Sequence, residues 1–142
     1  MRYLPALSVL MLAWETAHLP LYTLWTEATG PYIAFSVLHC TLGDALIGAA
    51  ALGLTLTVTR EGPIAHWRWR RLASIVMGVG VAYTLFSEWM NVMVLRSWSY
   101  APSMPKLELG GLELGLTPLA QWLVVPPLAL HFARRARTVR QG

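Results

Sequence analysis

"LAWETAHLPLYTLW", residues 12–25, sets apolar side chains where a membrane-crossing helix needs them, yet Glu15 and His18 interrupt the run three positions apart. That spacing places the carboxyl and the imidazole on one helix face. An ionised acid at the centre of a membrane helix costs about 2.5–3.5 kcal/mol, so the pair needs partners supplied by other helices. The stretch therefore predicts both a spanning helix and a bundle around it.

The composition agrees. The 142 residues are 56% hydrophobic and 13% charged, and the mean hydropathy is +0.50, whereas soluble domains carry about 25% charged residues. An integral membrane protein is predicted, one transmembrane domain over residues 1–142, because each crossing takes about 20 apolar residues. The single cysteine, Cys40, excludes an intramolecular disulfide. Arg2 followed by an apolar run imitates a secretory signal, but Glu15 lies within the run and no small-x-small cleavage site follows it. The net charge of +4 reports orientation and contact with anionic lipid; no base-reading motif points to nucleic acid.

Four apolar segments, approximately residues 3–25, 32–57, 72–95 and 116–132, predict an all-α four-helix transmembrane bundle. In "TEATGP" Gly30 can end one helix and Pro31 can begin the next, making the first two helices antiparallel neighbours. Pro20 and the Pro126-Pro127 pair are expected to bend their helices. "REGPIAHWRWRR", residues 60–71, joins the second and third helices, with Trp67 and Trp69 at headgroup level and His66 near the boundary, as is His131. Arg2, Arg60, Arg68, Arg70, Arg71, Arg134, Arg135, Arg137 and Arg140 fall on one side, against Arg96 and Lys106 on the other. The imbalance predicts cytoplasmic termini, in a bacterial inner membrane. A long outer loop, residues 96–115, is expected to act as a lid or contact surface; its "LELGGLELG" doublet is too short for a repeat architecture. Small residues in "GDALIGAAALG" and "MGVGVAY" favour close helix contacts.

Folded at those turns, the polar residues fall near one depth. His18 and His39 each lie about 10 residues, or about 15 Å, from the first turn and should face each other. Glu15 and Asp44 lie one turn further in, Glu88 and Asn91 enter from the outer end of the third helix, and Gln121 comes from the fourth. Three ionised, unpaired acids there would cost roughly 8–10 kcal/mol, so mutual pairing, a cation or an aqueous cavity must offset them.

The leading expectation is a metal site. Glu-x-x-His is a ligand pair of carboxylate-bridged sites in helix bundles, and Glu15, His18, His39, Asp44 and Glu88 supply nitrogen and oxygen donors for zinc, iron or manganese. Copper, which Cys40 with Met90, Met93 and Met104 would suit, fits less well, because methionine in an apolar segment is the kind of residue that packs rather than ligates. Asn91 and Gln121 would support the ligands, while Trp98 and Tyr100 cover the mouth. The second expectation is metal-free acid–base chemistry of isomerase, cyclase or hydratase type on a lipophilic small molecule, with Glu15, Asp44 and Glu88 as the acting acids. Trp14, Trp89 and Trp122 neighbour those polar residues in sequence, either to stabilise a cation or simply to fill the core. The third is an accessory subunit of a membrane complex, its polar residues joining helix to helix. Walker, dinucleotide-binding and nucleophile-elbow motifs are all missing. A haem held by His18 and His39 is disfavoured, because neighbours across a short turn stand too close to clamp it.

Overall fold

A computed structural model describes residues 2–60 and 67–138. The chain is mostly helical: α1 (Tyr3–His18), a short α2 (Leu24–Glu27), α3 (Gly30–Val58), α4 (Trp69–Glu88) and α5 (Leu116–Thr138), with a two-stranded hairpin between α4 and α5. Four stretches, Tyr3–Leu21, Gly30–Val58, Trp69–Val94 and Leu116–Arg134, are long and apolar enough to cross a membrane. At 1.5 Å per residue even the shortest spans about 28 Å, close to the thickness of a bilayer's hydrocarbon. Large side chains such as Val9, Leu46 and Leu54 point outward, Leu46 with 71% of its surface free. That exterior suits lipid better than water.

Local chemistry sets the ends. Pro20 lacks the N–H a helix interior requires, so α1 stops at His18 and a 3₁₀ turn, Leu19–Leu21, follows. The proline terminates the helix rather than bending it, and Tyr22 is already extended. The first span is thus shorter than the segment 3–25 expected from hydropathy. Pro31 sits in the first turn of α3, where a missing N–H costs nothing. α4 runs on into a π-helical turn, Trp89–Val94, which Leu95 N closes on Met90 O at 2.8 Å. Arg96 then takes a left-handed φ of 51°, and Ser97 N bonds Asn91 O at 2.8 Å. α5 continues through Pro126 and Pro127, the first fully buried.

The loop between α4 and α5, residues 96–115, carries more order than expected. Its doublet folds as β1 (Lys106–Leu109) against β2 (Leu112–Gly115), antiparallel, with Lys106 opposite Gly115. Gly110 and Gly111, at φ 57° and 85°, form the connecting turn, a backbone that glycine adopts without steric cost. Lys106 Nζ donates to Glu113 Oε2 across the pair at 2.9 Å.

The long helices form a ring in which α1 touches α3 and α5, and α4 touches the same two. The turn after α1 meets the loop after α4: Tyr22 and Tyr100 form an antiparallel bridge, Thr23 N donates to Ser99 O at 3.0 Å and Ala101 N to Leu21 O at 2.9 Å. Successive long helices therefore alternate in direction. Away from that end, Tyr3, Leu7 and Met11 pack with Leu52, Val76 and Leu130 around Trp122 in a dry core. Two glycines permit it. A Cβ on Gly48 would stand 2.6 Å from Leu7 Cδ2, and one on Gly80 1.9 Å from the Trp122 ring. Gly43, Gly53 and Gly78 meet nothing, so in each small-residue stretch a single glycine permits a close approach. His66 and the side chains of Arg135, Arg137 and Arg140, all given places in the topology above, lie outside the described residues.

Candidate functional site

Toward the bridged end the dry core gives way to polar groups. Glu15 and His18, three apart on α1, meet as expected: His18 Nε2 lies 3.2 Å from Glu15 Oε2, and His18 is buried. From α5, the buried Gln121 reaches across with Nε2 3.1 Å from Glu15 Oε1 and 2.8 Å from Asp44 Oδ2. Met11 Sδ is 3.0 Å from the same nitrogen. The amide has two protons for these three acceptors, and carboxyl oxygens are much the better acceptors, so Met11 serves as packing. One side-chain nitrogen thus ties acids from α1 and α3 to α5.

Glu88 ends the regular part of α4 and is 5% exposed. The Tyr100 hydroxyl donates to Glu88 Oε2 and accepts from Gly115 N at 3.0 Å. The phenol therefore fastens the loop and the hairpin to the acid. Asn91 lines the same space but spends its amide on its own helix, donating to Ser87 O at 2.9 Å. Trp98 reaches the site through Tyr22, whose ring also meets His18 edge-on at 5.5 Å and Tyr100 at 5.7 Å.

These groups border a cavity of about 430 Å³, with Glu15, His18, Asp44, Glu88 and Gln121 on its polar side and Phe35, Ile47, Tyr83 and Trp122 among its apolar walls. Every long helix contributes an acid, a histidine or the bridging amide. His39 lies at the rim, exposed, its ring stacked on Phe35 at 5.5 Å. The expected facing of His18 and His39 is thus corrected. Five residues turn a helix by about 140° beyond a full revolution, so with Asp44 turned inward His39 is carried outward. Cys40, four residues from Asp44, stays on its face and lines the cavity. Among the described residues no group of three or more His, Cys, Asp or Glu side chains is disposed to hold a metal ion.

Tyr22 is the participant that hydropathy misses. It follows the turn that Pro20 forces, outside any helical periodicity, and only the bridge to Tyr100 brings it to the site. The tryptophans divide: Trp122 is both core and cavity wall, Trp14 packs partly buried against the core, and Trp89 is exposed.

Tyr100 yields a stability test. Burial, then the hydrogen bond and charge of Glu88, push its phenol above the ordinary range, the Gly115 N–H pulling slightly the other way. The folded chain holds this proton more tightly than the unfolded one. Its stabilising contribution is complete below about pH 10 and is lost as pH rises beyond that. Tyr100→Phe is expected to lower stability by about 1–3 kcal/mol near neutrality and to lessen the alkaline loss. Thermal unfolding in detergent across the alkaline range measures both; parallel curves for the two proteins would contradict the assignment.

No protein family, curated protein or solved structure matches this chain.

Proposed function

We propose that the chain is a membrane enzyme with cytoplasmic termini that performs metal-free acid–base chemistry on a lipophilic small molecule. The arginine imbalance supports the orientation. The observation that carries the chemistry is the pair Glu15 and Asp44 held by one Gln121 amide, with Glu88 bordering the same cavity. Two carboxyl groups held by one amide can share a single proton, which leaves one of them protonated and able to donate. A shift of a carbon–carbon double bond illustrates what this arrangement supports. The protonated carboxyl gives its proton to one alkene carbon, and Glu88 or His18 takes a proton from the carbon next to the cation. The substrate's atoms and charge balance without a co-reactant, and the site resets when the acceptor gives up its proton and the donor regains one, by exchange with water. Trp122 offers an indole beside the cavity to stabilise the cation between the two steps.

A metal centre is less well supported. An N–H donor stands between the carboxyl groups of Glu15 and Asp44, where a cation would have to stand, and His39 is turned to Phe35. Stoichiometric zinc, iron or manganese in purified protein, lost on His18→Ala, would reverse that order.

The test is isotopic. Protein reconstituted in nanodiscs in D₂O is given pooled unsaturated neutral lipids, and mass spectrometry follows deuterium entering carbon positions. Wild type is expected to catalyse exchange and Asp44→Asn to abolish it. A folded wild type that exchanges nothing overturns the proposal.

A further inference from the structure

We infer that the cavity fills from the side, through a window between α3 and α4 that faces lipid hydrocarbon, and that its occupant is a neutral, slender, unsaturated lipid, for which farnesol is the probe. The unsaturation rests on the acid–base reading above; the window does not.

The exposure of the lining residues locates the opening. Within the spans, the residues that both line the cavity and stand exposed are Tyr32, Phe35 and His39 on α3 and Tyr83 on α4, Phe35 with 61% of its surface free. The lining residues of α1 and α5, such as His18, Gln121 and Trp122, are buried or half-buried. The loop end is closed by the half-buried Tyr22 and Trp98, with backbone bonds from Thr23 to Ser99 and from Ala101 to Leu21 behind them; Ser97 is the exposed lining residue there. Phe35 and His39 stand about 7 and 14 Å along α3 from its start, a depth that belongs to hydrocarbon rather than to water. A molecule dissolved in the outer leaflet meets this opening directly.

The walls select the occupant. A cavity of about 430 Å³ is of a size for a small ligand, in the range of about 300–1,000 Å³, and too small for both chains of a phospholipid. Among the described residues no lysine or arginine lines it, so a phosphate would enter without a cationic partner from them, beside two or three acids. A neutral, slender molecule avoids that penalty.

Cys40, the single cysteine, lines the cavity and reports on access. In phosphatidylcholine vesicles at mildly alkaline pH, N-cyclohexylmaleimide is expected to label it about tenfold faster, or more, than a sulfonated membrane-impermeant maleimide, because partitioning concentrates the uncharged reagent in lipid. Gly43, on the same helix, also lines the cavity, and a Cβ there meets nothing within 4 Å. Gly43→Leu should therefore plug the cavity, slow the labelling, and leave the unfolding temperature equal or higher. Farnesol should protect Cys40, and farnesyl phosphate should not.

Equal or faster labelling by the charged reagent would mean that the cavity opens to water, and overturns the window. So does labelling by neither reagent until the protein is unfolded. Protection by farnesyl phosphate equal to that by farnesol, or by neither, overturns the occupant. Glu88→Gln should keep the wild-type labelling pattern. The expected labelling without isotope exchange would defeat the catalytic proposal while leaving the window standing.

Discussion

Glu88→Gln is expected to lower deuterium exchange into a bound lipid by about 10²–10⁴-fold, the usual contribution of a positioned acid or base. The substitution keeps the shape of the side chain and an oxygen that can accept from the Tyr100 hydroxyl. Folding should survive it, because the contact that ties the loop to α4 remains possible. The loss should fall on kcat rather than on KM, since what disappears is proton transfer and not packing. The same variant separates a catalytic role for Glu88 from a purely structural one. If Glu88 were only a hydrogen bond between structural elements, glutamine would serve as well, and unfolding temperature and exchange would both stay at wild-type values. A pronounced fall in exchange with an unaltered melting temperature is the expected result; unaltered exchange would remove Glu88 from the chemistry.

Gly80→Ala should be the most destabilising glycine-to-alanine change among the described helical glycines. The added Cβ would lie 1.9 Å from Trp122 Cε3 and 2.1 Å from Cδ2, well inside contact distance, so α4 and α5 must separate or the indole must move. The ring is 1% exposed and surrounded by core residues, which leaves it little room. Overpacking of this kind costs about 1–3 kcal/mol, occasionally more. Gly78→Ala makes the control: two residues away on the same helix, its Cβ meets nothing, and alanine's better helix propensity should leave stability equal or higher by up to about 1 kcal/mol. Adding Trp122→Leu to Gly80→Ala should restore part of the loss, a coupling expected only between residues in contact. Because Trp122 also walls the cavity, the clash should disturb the site together with the core. Equal melting temperatures for Gly80→Ala and Gly78→Ala would disprove this account of the α4–α5 contact.

The site was partly legible beforehand and partly not. The pairing of Glu15 with His18 follows from their spacing alone, and the gathering of Asp44, Glu88 and Gln121 follows from counting residues from the turns. The bridging role of Gln121 does not. It depends on how far α5 is rotated and where it stands along its axis relative to α1 and α3, and no pattern within α5 encodes that. The hairpin was accessible locally, since a Gly-Gly pair flanked by two Leu-Glu-Leu runs is a turn signal in itself.

The sequence by itself determined the four apolar segments, the restart of the helix at Pro31, and the existence of a polar layer in every long helix; that Pro20 ends the first helix rather than bending it came from the structure. The first three are properties of hydropathy and backbone chemistry, which act over a few residues. Only the tertiary structure decided that His39 turns outward while Asp44 turns inward, that Gly80 rather than Gly78 carries a helix contact, and that Tyr22 meets Tyr100. The physical reason lies in the surroundings that such helices are built for. An apolar side chain is as much at home against lipid as against another helix, so hydropathy cannot say which face of a spanning helix looks in. The rotation of each helix is set by close contacts and by the few polar groups that must find one another.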